Sequence, residues 1–184
     1  MRLLLLFFIF CHNVVFSQSS IYDLSITTSP GKIVSLNEYR GRKILIAPVN
    51  PLSLQKEKVV GYWDSLQAAN PKVILIIIPA NDFLISGDSV AVKNAVVNIL
   101  VSERTKVKKD KGSGQHPVMQ WLTDSGKNAH FNAEVETESQ LYFISESGVL
   151  YAVSDQAAGQ AVIDNVLKQA DIKQQSVTAA GALR

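Results

Sequence analysis

Cysteine is nearly missing from this chain of 184 residues: there is one, Cys11, and it lies in the apolar N-terminal stretch. A disulfide within the chain, which needs two thiols, is therefore excluded, and so is a cysteine-rich metal site. Histidine is scarce as well, and beyond the N-terminal stretch only His116 and His130 remain. An excess of one charge is also missing. The 18 basic and 16 acidic side chains leave a formal +2, which gives no argument for nucleic acid or for an anionic membrane as partner. No apolar run approaches the roughly 20 residues of a comfortable membrane span.

The N-terminal stretch reads as a leader. Arg2 is followed by an apolar run over residues 3–10, and Val15 and Ser17 occupy the −3 and −1 positions before Gln18. This pattern is that of a secretory signal peptide over residues 1–17, removed after Ser17. A lipid anchor on Cys11 would call for a small residue just before it, and Phe10 stands there. Removal takes Cys11 away, so the mature chain, residues 18–184, is expected to be a secreted or periplasmic protein of one domain, without a thiol and without stable membrane insertion.

Residues 21–26 alternate as a strand should, and the turn chemistry of Ser29-Pro30-Gly31 precedes a second strand at Ile33-Val34. Ser35 and Glu38 have capping-box spacing, which predicts a helical turn that ends at Gly41. Residues 43–49 and 73–78 are apolar and rich in β-branched side chains, as strands buried on both faces are. Between them Val59, Tyr62, Trp63, Leu66 and Ala69 recur at helical spacing, which predicts a β-α-β unit with a helix over 56–70 and a parallel strand pair. A second helix is expected over 89–102, then a polar loop over 104–114 and a short helix opened by Pro117. A hairpin over 141–153 and a helix over 157–170 follow. This order describes an α/β fold of thioredoxin type, with a mixed central sheet and helices on both faces.

The residues also carry a family likeness. "SIYDLSITTSPGKIVSLNEYRGRKILIAPVN", "IIIPANDF", "HPVMQWLTDSG" and "LYFISESGVL" follow one another in an order that resembles the glutathione peroxidase family. The resemblance implies a thioredoxin-like fold and an activity that reduces hydroperoxides with glutathione or a thioredoxin-like donor. It places the peroxidatic residue at Ser53, with Leu52 beside it, and the pocket-shaping motif at Pro79, Asn81 and Phe83. It also implies a Gln shortly after that motif, where Leu84, Ile85, Ser86 and Gly87 stand, and a Trp-Asn pair where Thr137 and Glu138 stand.

That chemistry needs an ionised chalcogen, because a soft thiolate or selenolate attacks the O–O bond and is then reduced by a thiol. A serine hydroxyl stays protonated near neutrality, so Ser53 is no replacement. The expected function is that of a pseudoenzyme, a binding or scaffold module for an unknown protein or small-molecule ligand. The alternative is a hydroperoxide-reducing peroxidase that works through unrecognised residues.

Other chemistries read less well. His116 and His130 with Asp82 or Asp88 would be a sparse metal site, so they are taken as surface polar residues, and neither metal nor cofactor is expected. Ser53 lacks the Gly-x-Ser-x-Gly elbow of a hydrolase and is expected instead to be a helix N-cap. Lys106, Lys108, Lys109 and Lys111 are interrupted by Asp110 and read as a solvated loop. Of Tyr62 and Trp63, at least one should belong to the core.

Overall fold

A computed structural model describes residues 20–29, 31–85, 99–109, 114–138, 140–154 and 159–169. The leader over 1–17 and most of the helix expected over 89–102 lie outside the described residues.

The central sheet has five strands in the order β5-β4-β3-β6-β7. They are β3 (Ile44–Val49), β4 (Ile74–Pro79), β5 (Leu100–Val101), β6 (Leu141–Ile144) and β7 (Leu150–Ser154). β3 runs parallel to β4 and β4 to β5, whereas β6 lies antiparallel to both β3 and β7, so the sheet is mixed. A separate hairpin of β1 (Ser25–Thr28) and β2 (Lys32–Ser35) meets the sheet edge through a bridge from Thr28 to Ser102. The α-helices among the described residues are four, α1 (Glu57–Ala69), α2 (Pro117–Thr123), α3 (Ser125–Asn128) and α4 (Gln160–Lys168), besides short 3₁₀ turns.

Side chains alternate across a strand, and the central strands use both faces. Ile44, Ile46, Ile74, Ile76 and Ile78 pack into one layer with Leu36 and with Val118, Met119, Trp121 and Leu122 of α2. Leu45, Ala47, Val49, Leu75 and Ile77 pack into the other with Trp63 and Leu66 of α1 and Ile163 and Leu167 of α4. Trp63 is wholly buried, so the core member of the aromatic pair is Trp63, while Tyr62 is half-buried.

Two sequence expectations are corrected. The strand expected over 21–26 begins only at Ser25, because Ser20 and Asp23 form a reciprocal capping box that winds Ile21–Asp23 into a 3₁₀ turn. The Ser20 hydroxyl accepts from the Tyr22 N–H at 3.2 Å, and the Ser20 N–H donates to Asp23 Oδ2 at 3.0 Å. The end of the helix expected over 89–102 is strand instead: Leu100 and Val101 pair with Ile76 and Ile77, where β-branched and aliphatic side chains complete the sheet edge.

Pro48 shapes the region around the expected site. The Ile74 N–H donates to the Lys43 carbonyl and the Ala80 N–H to the Val49 carbonyl, so odd-numbered residues of β3 face β4 and even-numbered ones face β6. Ile44 and Ile46 pair with β6, and the next even residue is Pro48, which has no N–H to offer. The β3–β6 ladder stops there, and the two chains separate into a crevice.

Candidate functional site

The crevice opens at the C-terminal ends of the parallel strands, beside the point where β3 has a parallel neighbour on one side and an antiparallel one on the other. Ligands of open α/β sheets bind at such places. Its first wall is the turn after β3. Asn50 Oδ1 accepts from the Leu52 N–H at 3.0 Å, and Asn50 Nδ2 donates to the Phe83 carbonyl at 3.2 Å. One side chain thus shapes the turn and ties it to the segment after β4.

Ser53 is not the N-cap of α1. It is the first residue of a 3₁₀ turn, Ser53–Gln55, and the α1 cap position is Lys56, which makes no side-chain cap. Lys56 is extended (φ −90°, ψ 121°), and that break in the chain separates Ser53 from the helix. The Ser53 hydroxyl instead donates to Glu138 Oε2 at 3.3 Å.

Glu138 reaches Ser53 because the loop before β6 is held from below. Gln140 Oε1 accepts from the Glu136 N–H at 3.1 Å, while Gln140 Nε2 donates to the Glu134 carbonyl at 3.2 Å and to the buried Tyr142 hydroxyl at 3.1 Å. Burial, helped by the Glu134 charge, pushes the Tyr142 phenol far up, so it stays neutral. A cavity of about 330 Å³ lies between these parts, lined by Val49, Ser53, Lys58, Val59, Tyr62, Trp63 and Glu138. The structure therefore brings together Ser53, where the family likeness implies the peroxidatic residue, and Glu138, where it implies part of a Trp-Asn pair.

The motif residues do not line this cavity and lie beyond Asn50, which ties the turn to them. Pro79 is buried at the end of β4, and Asn81 and Phe83 bound a 3₁₀ turn. The Asn81 N–H donates to the Thr105 carbonyl at 2.8 Å, and the Lys108 ammonium lies 5.3 Å from the centre of the Phe83 ring. Leu52 is partly exposed at the rim, and Leu84 and Ile85 follow the motif, Ile85 exposed. Ser86 and Gly87 lie outside the described residues.

Asp82 and the histidines go elsewhere. Asp82 Oδ2 accepts from the N–H groups of Val107 (2.6 Å) and Lys108 (3.3 Å), which pins the start of the lysine-rich segment to the turn after β4. That segment is thus anchored as far as Lys109, and Lys111 lies outside the described residues. His116 is no mere surface group. It caps α2, its Nδ1 accepting from the Val118 N–H at 3.2 Å, and burial lowers its pKa and keeps it neutral. His130 is exposed, and Asp88 is outside the described residues. Among the described residues no group of three or more His, Cys, Asp or Glu side chains is placed to hold a metal ion.

Sequence reading missed the contact between Ser53 and Glu138, since no local pattern links positions so far apart. It also missed α3, whose signals are the Asp124 side chain accepting from the Gly126 N–H at 2.9 Å and Ala129 in the left-handed region. Two larger hollows, of about 710 and 640 Å³, lie around Arg42 at the opposite end of β3 and contain none of the expected site residues.

No family model matches the chain, and no curated protein matches its sequence. Solved structures do match. The chain is similar to Trgpx in its apo form, with a TM-score of 0.60 and 16% identity over 81% of this chain and 93% of that one. It is similar to T. cruzi GPX1 (TM-score 0.56, 16% identity, 81% of this chain and 94% of that one). It is also similar to a thiol:disulfide interchange protein of the thioredoxin family from Chlorobium tepidum TLS (TM-score 0.54, 14% identity, 83% and 95%). The fold is thus thioredoxin-like and of the kind that glutathione peroxidases have. At these identities the likeness concerns the fold. No helix among the described residues is long and apolar enough to cross a membrane.

Proposed function

We propose that the chain is a glutathione-peroxidase-like protein that has given up thiol peroxidase chemistry and acts as an exported binding or scaffold module. One observation carries the reading: the side chain at the nucleophile position is a serine whose hydroxyl donates to a carboxylate, Glu138, at 3.3 Å. A peroxidatic site needs the reverse arrangement, an ionised chalcogen surrounded by donors or positive charge. A carboxylate at that distance opposes any anion at position 53 and also faces the oxygen on which negative charge develops as the O–O bond breaks. The chain's one cysteine, Cys11, belongs to the leader that export would remove. Export itself rests on Arg2, the apolar run after it and the Val15-Phe16-Ser17 site.

The test is turnover. The purified protein, given hydrogen peroxide with either a glutathione or a thioredoxin couple, should consume no more reductant than its heat-denatured control. Turnover above that control would refute the reading and point to residues outside the Ser53 crevice. Intact-mass spectrometry of the exported protein checks the leader, with Gln18 expected as the first residue and no lipid attached.

A further inference from the structure

We infer that the crevice beside Ser53 binds a small zwitterion, an α-amino acid with an apolar side chain or a compound of the same chemistry. The inference rests on the reading of this crevice as a binding site and supplies the ligand class. Its volume of about 330 Å³ is at the small end of ligand cavities, which run roughly from 300 to 1,000 Å³. Val49, Val59, Tyr62 and Trp63 give it apolar walls.

Two opposite charges line the same cavity, Lys58 and Glu138, and they do not neutralise each other. The one ion pair among the described residues joins Lys43 to Glu146 at 3.9 Å, so Lys58 and Glu138 stand farther apart than a direct pair. The Glu138 carboxylate has one hydrogen bond, the long one from Ser53, and keeps acceptor capacity for an ammonium group. At the wall, Trp63 is wholly buried and its indole N–H has no partner among the described residues.

A ligand with one charge would satisfy half of this cavity and oppose the rest. A lone carboxylate meets Glu138, and a lone ammonium meets Lys58. A zwitterion places its ammonium on Glu138 and the Ser53 hydroxyl, its carboxylate on Lys58, and its side chain against the valines and Tyr62. The complex adds no net charge to the crevice, which limits the cost of closing water out.

The experiment titrates the purified protein with L-leucine, N-acetyl-L-leucine and isoamylamine, with binding read by calorimetry. L-Leucine should bind, and the two compounds with one charge should bind about tenfold more weakly or less, the loss of roughly one charge-assisted contact. Glu138→Gln should weaken L-leucine about tenfold and tighten N-acetyl-L-leucine, whose carboxylate it no longer opposes, whereas Lys58→Gln should weaken L-leucine and tighten isoamylamine. Both side chains are exposed, so the variants fold, and circular dichroism checks this. No binding of L-leucine at millimolar concentration, equal binding of the three compounds, or indifference to both substitutions would overturn the inference. Peroxide turnover by a protein that binds L-leucine would refute the lost chemistry and leave the site standing. A protein inert to peroxide that ignores L-leucine would refute the site alone.

Discussion

Restoring the thiol with Ser53→Cys asks the crevice directly what it does to an anion. From sequence alone, Ser53 is expected at the start of the following helix, where unpaired N–H groups and the dipole would lower a thiol's pKa below the free value of about 8.5. The geometry reverses the sign. α1 starts at Glu57, beyond an extended Lys56, and its first turn already holds the Glu57 carboxylate. Dipole stabilisation, about 0.3–1 kcal/mol and confined to the first turn, therefore reaches position 53 weakly. Glu138 is close: its Oε2 lies 3.3 Å from the Ser53 oxygen. Two unit charges about 4 Å apart repel by about 1 kcal/mol in water and about 4 kcal/mol at an effective dielectric of 20. Glu138 is exposed, so the lower part of that range applies, and about 1–2 kcal/mol corresponds to about one pKa unit.

The thiol of Ser53→Cys should thus titrate above about 8.5, and the double variant Ser53→Cys with Glu138→Gln should titrate about one unit lower. Ultraviolet absorbance of the thiolate across a pH series measures both. Equal pKa values in the two variants, or a value below the free one while Glu138 is present, would refute the electrostatic argument. Stopped-flow mixing with hydrogen peroxide should show slow reaction in both, because Leu84 and Ile85 and the pair Thr137-Glu138 stand where the family likeness implies the Gln and Trp-Asn donors. Fast reduction would mean that the crevice still stabilises the transition state.

Three further predictions concern the scaffold. His116→Ala removes the α2 cap and should destabilise the fold by about 0.5–2 kcal/mol in chemical denaturation, while His116→Asn should retain most of it. Because burial lowers the folded-state pKa of His116, the unfolded chain takes the proton first as pH falls through about 6.5. Its contribution is therefore present above that pH and is lost below it, a pH step that His116→Asn should abolish. Tyr151, raised to about 12 by burial and the Glu146 charge, acts in the opposite range: above pH of about 10 the unfolded chain ionises first, so stability should fall there and less so in Tyr151→Phe. Gly148 has a φ of +83°, and a Cβ on it would lie 2.5 Å from Tyr22 Cε2, so Gly148→Ala should cost about 1–3 kcal/mol and lower the melting temperature.

The sheet was legible because its signals are local. Residues 44–49 and 74–79 are uninterrupted apolar runs, and the Val59-Trp63-Leu66 spacing states which face of α1 is inward. At the first strand a Ser-x-x-Asp box outweighs alternation over a few residues, and at β5 Ile99, Leu100 and Val101 fit the helical period as well as the strand one. Within the crevice, Ser53 is reached from the sequence only by counting along a resemblance. Its neighbour is not reached even so. Glu138 comes to Ser53 through Pro48, which ends the ladder, and through Gln140, which holds the loop, and each acts at long range on a surface residue with no pattern of its own.

On the proposed reading, the same geometry lets a peroxidase-like fold persist without that chemistry. The bonds that build the crevice belong to Asn50, Asp82 and Gln140, whose side chains bind backbone groups and, for Gln140, the Tyr142 hydroxyl as well. None of these contacts involves the side chain at position 53, and the two core layers on either face of the sheet include neither Ser53 nor Glu138. Exchange of the nucleophile therefore removes no core packing. What it changes is electrostatic tolerance: beside a thiolate, a carboxylate at Glu138 costs about 1–2 kcal/mol through repulsion, whereas beside a hydroxyl it gains a donor. Ser53 and Glu138 thus form a compatible pair in a crevice whose shape is maintained by other residues, and that shape with reversed polarity suits a ligand bearing an ammonium group better than it suits a peroxide.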